Sequence, residues 1–418
     1  NRPQASQRSQ GCPRKGASFF VSLSLGAPCI LTVGVGSDDM LPVWPAQQNR
    51  PPVGYSNPFI DAPSGLPDHQ GPLHCPAAAM FTFRFYTPDD RPAWDEFVLR
   101  SRNGVFLFLR AYLEYHADRF EDASVVIHAE GHRDRIVAVL PANRQRAPLQ
   151  FAEHGHGAAA NARGDTFVTH GGLTFGGLVM DEKLGGAQVV TVMRELLPWL
   201  ANHGFARLKY KPTPHLYHRL PSEEDLYALH QLGAQTTQVL LSSTLDLTRP
   251  FPASGARKNA LKIADRHDIQ AGPCTWEDFW PLLTQTLQHR HGVNPVHSLE
   301  EIRLLASRFP NRLEVLGGWS SQDASQQLQA GAVLFHYDGV THTQYLASSP
   351  AGRDSHAQHR IIDTAIESAR ARGQRWFSFG TSTTEGGRVL NDGLLHHKEI
   401  FGARGTILQT LELDLPGH

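Results

Sequence analysis

The sequence has few cysteines and no excess of charge of either sign. Its four cysteines, at positions 12, 29, 75 and 274 of 418 residues, form no Cys-x-x-Cys pair, which argues against a disulfide framework or a cysteine-based zinc site. The 39 Lys and Arg residues balance 40 Asp and Glu residues, so no global basic field predicts binding to DNA. This composition suits the reducing cytoplasm, and any charged partner must be bound locally.

Long apolar runs and the motifs of covalent or metal catalysis are also missing. The stretch SFFVSLSLGAPCILTVGVG is interrupted by Ser, Pro and Gly, so it is too weak to span a bilayer; a secretory signal is the alternative interpretation. No Gly-x-Ser-x-Gly sequence is present, and the 23 His residues show no zinc-finger or HExxH spacing. We therefore expect no transmembrane segment, no metal site, no permanently bound cofactor and no serine nucleophile.

The first 79 residues lack periodic structure. They are rich in Pro, Gly, Ser and Gln and show no sustained period of 2 or 3.6, which predicts a disordered tail. Regular sequence begins directly after Met80, and an over-extended reading frame whose true start is Met80 would account for this. We thus treat residues 1–79 as a tail that need not belong to the native protein.

After Met80 the same order of elements is predicted twice. Each half contains two helices, three strands, a helix and a strand, and the halves are joined by a short basic helix in SGARKNALKIADRHDI. Local signals mark several ends: a capping box from Ser298 to Glu301, a hairpin turn at residues 337–339 and a helix stop at Gly373. We predict a first domain over 80–250, a linking helix over 251–272 and a second domain over 273–418.

The most specific stretch lies near the end of the chain. FGTSTTEGGRVLNDGLLHHKEIFGARG resembles the end of FemAB-type proteins, in which an Asn-Gly-Leu helix leads into Lys-Glu-x-Phe-Gly, and HGGLTFGGLV in the first half is similar to the same branch. The resemblance covers about residues 82–412. It implies an α/β fold with a mixed sheet, built from two tandem GNAT-like acyltransferase domains.

The resemblance also implies an activity. Members of this branch transfer acyl or aminoacyl groups to amines, so we expect an N-acyltransferase that works by direct attack. The donor would be acyl-CoA (acetyl-CoA included) or aminoacyl-tRNA, and the acceptor a small-molecule or lipid-linked amine of the cell envelope. Two alternatives stay open: a peptidoglycan-bridge aminoacyl transferase, and a catalytically silent tandem module that only binds.

The candidate donor site follows the third strand of the second half. Because a donor amide would run along this strand into the next loop, we predict a donor-binding set on the strand, on the loop SSPAGRDSHAQHR, and around the following strand. The set is Gln344, Tyr345, Ser348, Gly352, Arg353, His356, Ser378 and Arg404. In the joining helix Lys258, Lys262 and Arg266 recur every four residues and could form a strip that contacts phosphates.

Catalytic candidates lie in the closing stretch itself. Lys398 shares one helical face with Leu394 and Phe401, so it should point inward, where a cation would contact donor phosphate or a developing oxyanion. Asn391 and Arg404 would support it, and Glu385 in the preceding turn is the candidate proton acceptor. We expect donor binding in residues 330–404, with the first half shaping the acceptor cleft.

Overall fold

The computed structural model describes residues 80–131, 135–147, 164–251, 254–322 and 327–417. The predicted tail over 1–79 lies outside these residues. The first half comprises β1 (Phe81–Phe85), α1 (Arg91–Arg100), α2 (Arg110–Leu113), β2 (Glu121–Asp122), β3 (Val125–Ala129), β4 (Ile136–Leu140), β5 (Asn143–Gln145), β6 (Asp165–Val168), β7 (Val179–Met180), α3 (Gly186–Asn202), β8 (Phe205–Tyr210), α4 (Glu224–Gln231) and β9 (Gln235–Asp246).

The second half repeats this order after a connecting helix. It comprises α5 (Gly255–Arg266), β10 (Ile269–Pro273), α6 (Trp276–His291), α7 (Leu299–Arg308), β11 (Leu313–Ser320), β12 (Ala330–His336), β13 (Val340–Ser348), α8 (Pro350–Asp354), α9 (Ala357–Ala371), β14 (Trp376–Thr381), β15 (Thr383–Thr384), β16 (Val389–Leu390), α10 (Asp392–Glu399) and β17 (Arg404–Asp414). Helix α5 is the basic helix predicted from SGARKNALKIADRHDI.

Local sequence signals fix several element ends as predicted. The Ser298 hydroxyl accepts the Glu301 N–H, and the Glu301 carboxylate accepts the Ser298 N–H, which closes the capping box of α7. Gly339 has a φ of 87° in the turn between β12 and β13, a left-handed conformation that favours glycine. Gly373, with a φ of 72°, follows α9 in the same way. These three predictions are confirmed.

One large sheet joins the two halves. Its eleven strands run in the order β10-β11-β12-β13-β14-β9-β17-β8-β6-β5-β2, beside a four-stranded sheet β1-β3-β4-β7 and the hairpin β15-β16. The last strand of each half is exchanged: β9 pairs with β14 of the second half, and β17 pairs with β8 of the first. Strands β9 and β17 also pair with each other, so the middle of the sheet is a shared antiparallel pair.

The hydrophobic cores follow this arrangement. One core lies under α3 in the first half and another under α9 in the second. A third, rich in aromatic residues, is built from both halves: the Phe106 ring lies 5.0 Å from that of Tyr337 and 5.5 Å from that of Phe309. Such contacts bury large apolar areas and hold the halves together. In the described part of the chain, no helix combines the length and hydrophobicity that a membrane crossing requires.

Candidate active site

Strands β13 and β14 are parallel neighbours that separate part-way along their length. They pair only from Val340 with Trp376 to His342 with Ser378, although β13 continues to Ser348. On its other side β13 has a bulge: Tyr345 pairs with Val333 and Thr343 with Leu334, so Gln344 has no partner on β12. Gln344 therefore has no register partner on either neighbouring strand, and such a point is where a sheet can bind an extended ligand.

A pocket lies at this opening, between the two halves. The second half contributes residues from β12, β13, β14, β17 and two loops, and the first half contributes residues from β9, from α2 and the turn before it, and from two loops. The lining residues are Leu107, Tyr112, Gly172, Leu173, Thr174, Phe175, Pro214, Leu216, Tyr217, Ser242, His297, Phe335, Tyr337, His342, Gln344, Ser378, Gly380, Thr406, Ile407 and Leu408. Two residues of the predicted donor set, Gln344 and Ser378, are brought together here.

A hydrogen-bonded chain crosses the pocket wall from one half to the other. The His342 Nδ1 atom lies 3.0 Å from the Ser378 Oγ atom, and the Tyr217 hydroxyl of the first half is hydrogen-bonded to the Ser378 side chain. Burial, together with the nearby Lys398 ammonium, lowers the pKa of His342 to about 3. The imidazole is therefore neutral at physiological pH, and its contact with Ser378 holds the ring in place.

Tyr345 points away from the pocket. Its side chain is 1% exposed, and its hydroxyl accepts the His297 N–H at 3.3 Å and lies 2.7 Å from His297 Nδ1. Burial lowers the pKa of His297 to about 3 and raises that of Tyr345. His297 itself lines the pocket, so Tyr345 affects the site by orienting this neutral imidazole.

Lys398 is buried as its helical spacing predicts. Only 1% of the residue is exposed, and its Nζ atom donates to the carbonyl oxygens of Gly380 at 2.9 Å and Thr381 at 2.7 Å. Gly380 lines the pocket, whereas Lys398 lies one hydrogen bond behind it. Burial lowers the pKa of Lys398 to about 7. The ammonium group thus holds the end of β14, where the two parallel strands have separated.

The first half has a second buried lysine at its own parallel pair, β6 and β8. Lys211 Nζ donates to the carbonyl oxygens of His170 at 2.7 Å and Leu173 at 2.5 Å, and burial lowers its pKa to about 7. Unlike β13 and β14, these strands do not open: the Lys211 N–H donates to Thr169 Oγ1, and the Gly176 N–H donates to the Lys211 carbonyl. The first half therefore offers no equivalent opening along this strand pair.

The loop after β13 forms the short helix α8. The N–H groups of Gly352 and Arg353 donate to Ser349, and those of Ser355 and His356 donate to Ala351 and Arg353. A β-carbon at Gly352 would stand 2.0 Å from the Gln329 carbonyl oxygen, so only glycine fits. Since these backbone donors are already used, an anion bound at this loop would depend on side chains.

The remaining residues of the predicted donor set surround this loop or lie further away. The Ser348 hydroxyl donates to the Gln329 carbonyl at 3.3 Å, and Arg353 donates to the Ser348 carbonyl at 3.1 Å. His356 adopts a left-handed φ of 54° at the start of α9. Arg404 is exposed at the start of β17 and donates to the Ala403 carbonyl.

Two catalytic candidates, Glu385 and Asn391, lie outside the pocket lining. Both are exposed. The Asn391 side chain accepts the Leu394 N–H at 2.9 Å and so caps α10. Glu385 sits in the turn of the β15-β16 hairpin with a left-handed φ of 50°. The structure gives each a local structural role, and their catalytic roles stay predictions.

The three residues of the basic strip are exposed on α5. Lys258, Lys262 and Arg266 form no ion pair with any described residue. The carboxyl end of α5 approaches the start of α9, because Arg360 pairs with Asp265 and the charge of His267 contributes to the lowered pKa of His356. Arg266 therefore lies at the end of the strip that is nearest the loop after β13.

Sequence reasoning missed several pocket residues. His342 could have been found, because it alternates with Gln344 on the strand VTHTQYLAS and so shares its face. Tyr217, Tyr337 and His297 offered no signal, since each comes from a turn or loop. Among the described residues no group of three or more His, Cys, Asp or Glu side chains is arranged to hold a metal ion.

Comparisons with known proteins identify the fold. No protein-family model matches the chain, and no curated protein matches it in sequence. Its structure resembles the crystal structure of FemX, with a TM-score of 0.56 and 12% identity over 80% of this chain and 97% of FemX. The chain shares the fold of FemX. It also resembles a conserved protein of unknown function from Bacteroides thetaiotaomicron VPI-5482, with a TM-score of 0.50 and 11% identity over 80% of this chain and 100% of that one.

These likenesses confirm the predicted fold class. The chain has a FemX-like α/β fold with a mixed sheet. At such low identity the likeness shows the fold alone, and it does not extend to the donor, the acceptor or the roles of individual residues.

Proposed function

We propose that the chain is an N-acyltransferase that moves an acyl group from an activated donor to an amine at the pocket between its halves. The observation that carries this proposal is the opening between β13 and β14, with Gln344, which has no register partner on either strand, at its mouth. An extended donor can lie along the separated edge of β13, and backbone N–H groups at the opening would polarise its carbonyl. The acceptor amine enters from the side of the first half.

The reaction needs no covalent intermediate. The amine nitrogen attacks the donor carbonyl, a C–N bond forms, the bond to the leaving group breaks, and one proton leaves the nitrogen. The pocket lining contains neither cysteine nor lysine, and burial raises the pKa of Cys274, the one cysteine among the described residues, to about 12. Both facts support direct attack. Glu385 remains the proposed proton acceptor, reached by way of solvent.

Lys398 acts in this proposal through the backbone. Its two hydrogen bonds fix the carbonyl groups of Gly380 and Thr381, and so they fix the end of β14 relative to β13. In its protonated form the buried side chain also places positive charge behind Gly380, where it would stabilise an oxyanion that develops in the pocket. Asn391 supports this arrangement by capping the helix that carries Lys398.

We assign the donor phosphates to side chains around α8. Burial and, to a smaller extent, the charge of Arg353 lower the pKa of Arg290, so the two guanidinium groups lie near each other beside the loop after β13. Ser348, His356 and the near end of the basic strip surround the same loop. Clustered arginines of this kind suit a phosphorylated donor such as acyl-CoA or an aminoacyl-tRNA end.

Native mass spectrometry of the full chain, purified without added ligand, tests the activity class. We expect a copurified mass equal to an acyl-CoA or, after mild nuclease treatment, an acylated nucleotide. Retention of neither, together with no binding of added CoA or charged tRNA, would instead support a module that binds a partner without catalysis. That second candidate is favoured by the internally bonded N–H groups of the loop after β13.

Paired variants of the basic strip test the phosphate assignment. Arg266→Gln removes the charge nearest the loop, and we expect CoA affinity to fall about threefold to tenfold, or roughly 0.7–1.4 kcal/mol. Lys258→Gln, at the far end of the same face, is the matched control and should bind CoA as the wild type does. Equal losses in both variants would mean that the strip acts only through its long-range field, and no loss in either would exclude it from donor binding.

A further inference from the structure

The lining of the pocket between the halves contains no charged side chain. Among the described residues that line it, none is Asp, Glu, Lys or Arg. Aromatic rings from both halves form much of the wall: the Tyr217 ring lies 4.7 Å from those of Phe175 and Tyr337. Aliphatic side chains from Leu107, Leu216 and Leu408 complete it. Polar groups are confined to hydroxyls, one amide and two imidazoles.

Both imidazoles in this lining are uncharged at neutral pH. Burial lowers the pKa values of His342 and His297 to about 3. Each has a neutral hydroxyl partner at Nδ1, from Ser378 and Tyr345 respectively. A group that enters the pocket therefore meets hydrogen-bonding partners but no counter-ion.

Two buried lysine side chains lie just behind the lining, on two sides of the pocket. Lys398 Nζ donates a hydrogen bond to the carbonyl oxygen of Gly380, and Lys211 Nζ donates one to the carbonyl oxygen of Leu173. Gly380 and Leu173 both line the pocket. Aromatic faces alone would also suit an ammonium group. Here such a cation would find no carboxylate in the lining, and it would face two lysines that are each about half protonated at neutral pH, which is unfavourable in a buried site.

We propose that the pocket accepts an uncharged, apolar acyl group, aliphatic or aromatic, from a thioester donor and rejects aminoacyl groups, whose α-ammonium is charged. The inference rests on the proposed function and narrows its donor. In the transfer the amine nitrogen bonds to the thioester carbonyl carbon, the C–S bond breaks, and the proton that the amine loses passes by way of solvent and Glu385 to the departing thiolate. Nothing is oxidised or reduced.

Three CoA thioesters of matched chain length test this selectivity on the full chain. Hexanoyl-CoA is uncharged at its end, 6-aminohexanoyl-CoA carries an ammonium, and adipoyl-CoA carries a carboxylate; free CoA gives the baseline in calorimetric titrations. We expect hexanoyl-CoA to bind at least tenfold more tightly than the other two, and more tightly than CoA. Equal or tighter binding of either charged thioester would overturn the inference and leave the proposed function standing.

Two further outcomes separate the inference from its premise. If hexanoyl-CoA binds no better than CoA, the acyl group does not enter the pocket, and only the inference fails. If none of the four ligands binds, the proposed thioester-dependent transfer fails, and the inference with it.

A charge placed in the pocket gives an independent test. Thr406 lines the pocket on β17 and is partly exposed, with its Oγ1 atom 3.0 Å from Thr244 Oγ1. In Thr406→Asp the preference for hexanoyl-CoA over 6-aminohexanoyl-CoA should fall at least tenfold. Thr406→Asn has nearly the same shape without the charge and should keep the wild-type order. An unchanged preference in a folded Thr406→Asp protein would show that the acyl group lies elsewhere.

Discussion

At the scale of single residues, buried lysine is the unusual feature of this protein. Lys398 and Lys211 are each almost fully enclosed, and each donates to two backbone carbonyls at the end of a strand. The inward position of Lys398 could be predicted from helical spacing, because Leu394 and Phe401 on the same face are buried as well. The hydrogen-bond partners of Lys398 could not be predicted, because they are backbone carbonyl groups, which every residue has.

The lowered pKa of Lys398 predicts how stability changes with pH. Between its folded value of about 7 and its unfolded value of about 10.4, the unfolded chain binds more protons, so the free energy of unfolding rises with pH. A single lysine contributes at most about 1.4 kcal/mol per pH unit. In urea titrations from pH 7.5 to 9.5, the free energy of unfolding of Lys398→Met should therefore rise less steeply than that of the wild type, by about 1.4 kcal/mol per pH unit.

The matched control for this experiment is Lys258→Met. Lys258 is exposed on α5, so its replacement should leave the pH slope unchanged. Lys398→Met also leaves the Gly380 and Thr381 carbonyls without their donor, and we expect it to be less stable than the wild type at pH 9.5 by about 1–3 kcal/mol. A variant with the wild-type slope would show that Lys398 keeps its proton in the folded protein over this pH range, so that its pKa is not lowered by burial.

At the scale of elements, the sequence is most informative where signals are local. The capping box of α7, the turn at Gly339 and the C-terminal glycine of α9 are each contained in a few residues, and all three were predictable. The separation of β13 from β14 could not be predicted, because it is accompanied by a bulge in the pairing of β13 with another strand, β12. The short helix α8 could not be predicted either, because the sequence SSPAGRD is equally typical of an open loop.

The cap of α10 allows a structural and a catalytic role to be separated. Asn391 accepts the Leu394 N–H through its side chain, so Asn391→Ala should destabilise the protein by about 1 kcal/mol. Aspartate caps helices as well as asparagine does, and Asn391→Asp should therefore keep the wild-type melting temperature. If Asn391 only caps α10, this variant also keeps full transfer activity. A stable but inactive Asn391→Asp protein would show that the amide contacts substrate or a reacting group.

At the scale of the whole molecule, the exchanged strands decide how the halves relate. The sequence predicts two successive domains, and boundaries at 250 and 273 follow naturally from the repeated order of elements. It does not predict that β9 leaves its own half to lie between β14 and β17, because pairing between strands more than 100 residues apart has no local signal. The donor opening and the acceptor side are thus built on one continuous sheet.

This continuity predicts that the two halves unfold together. Val239 lies on β9 opposite Gln409 of β17 and is itself exposed, so Val239→Pro removes ladder hydrogen bonds without emptying a core. Hydrogen exchange should then accelerate by a similar factor in α3 of the first half and α9 of the second, because both cores depend on the shared pair. Val239→Thr, which keeps the backbone donor, should leave both helices protected. Faster exchange confined to one of the two helices would mean that the halves are separate cooperative units despite their common sheet.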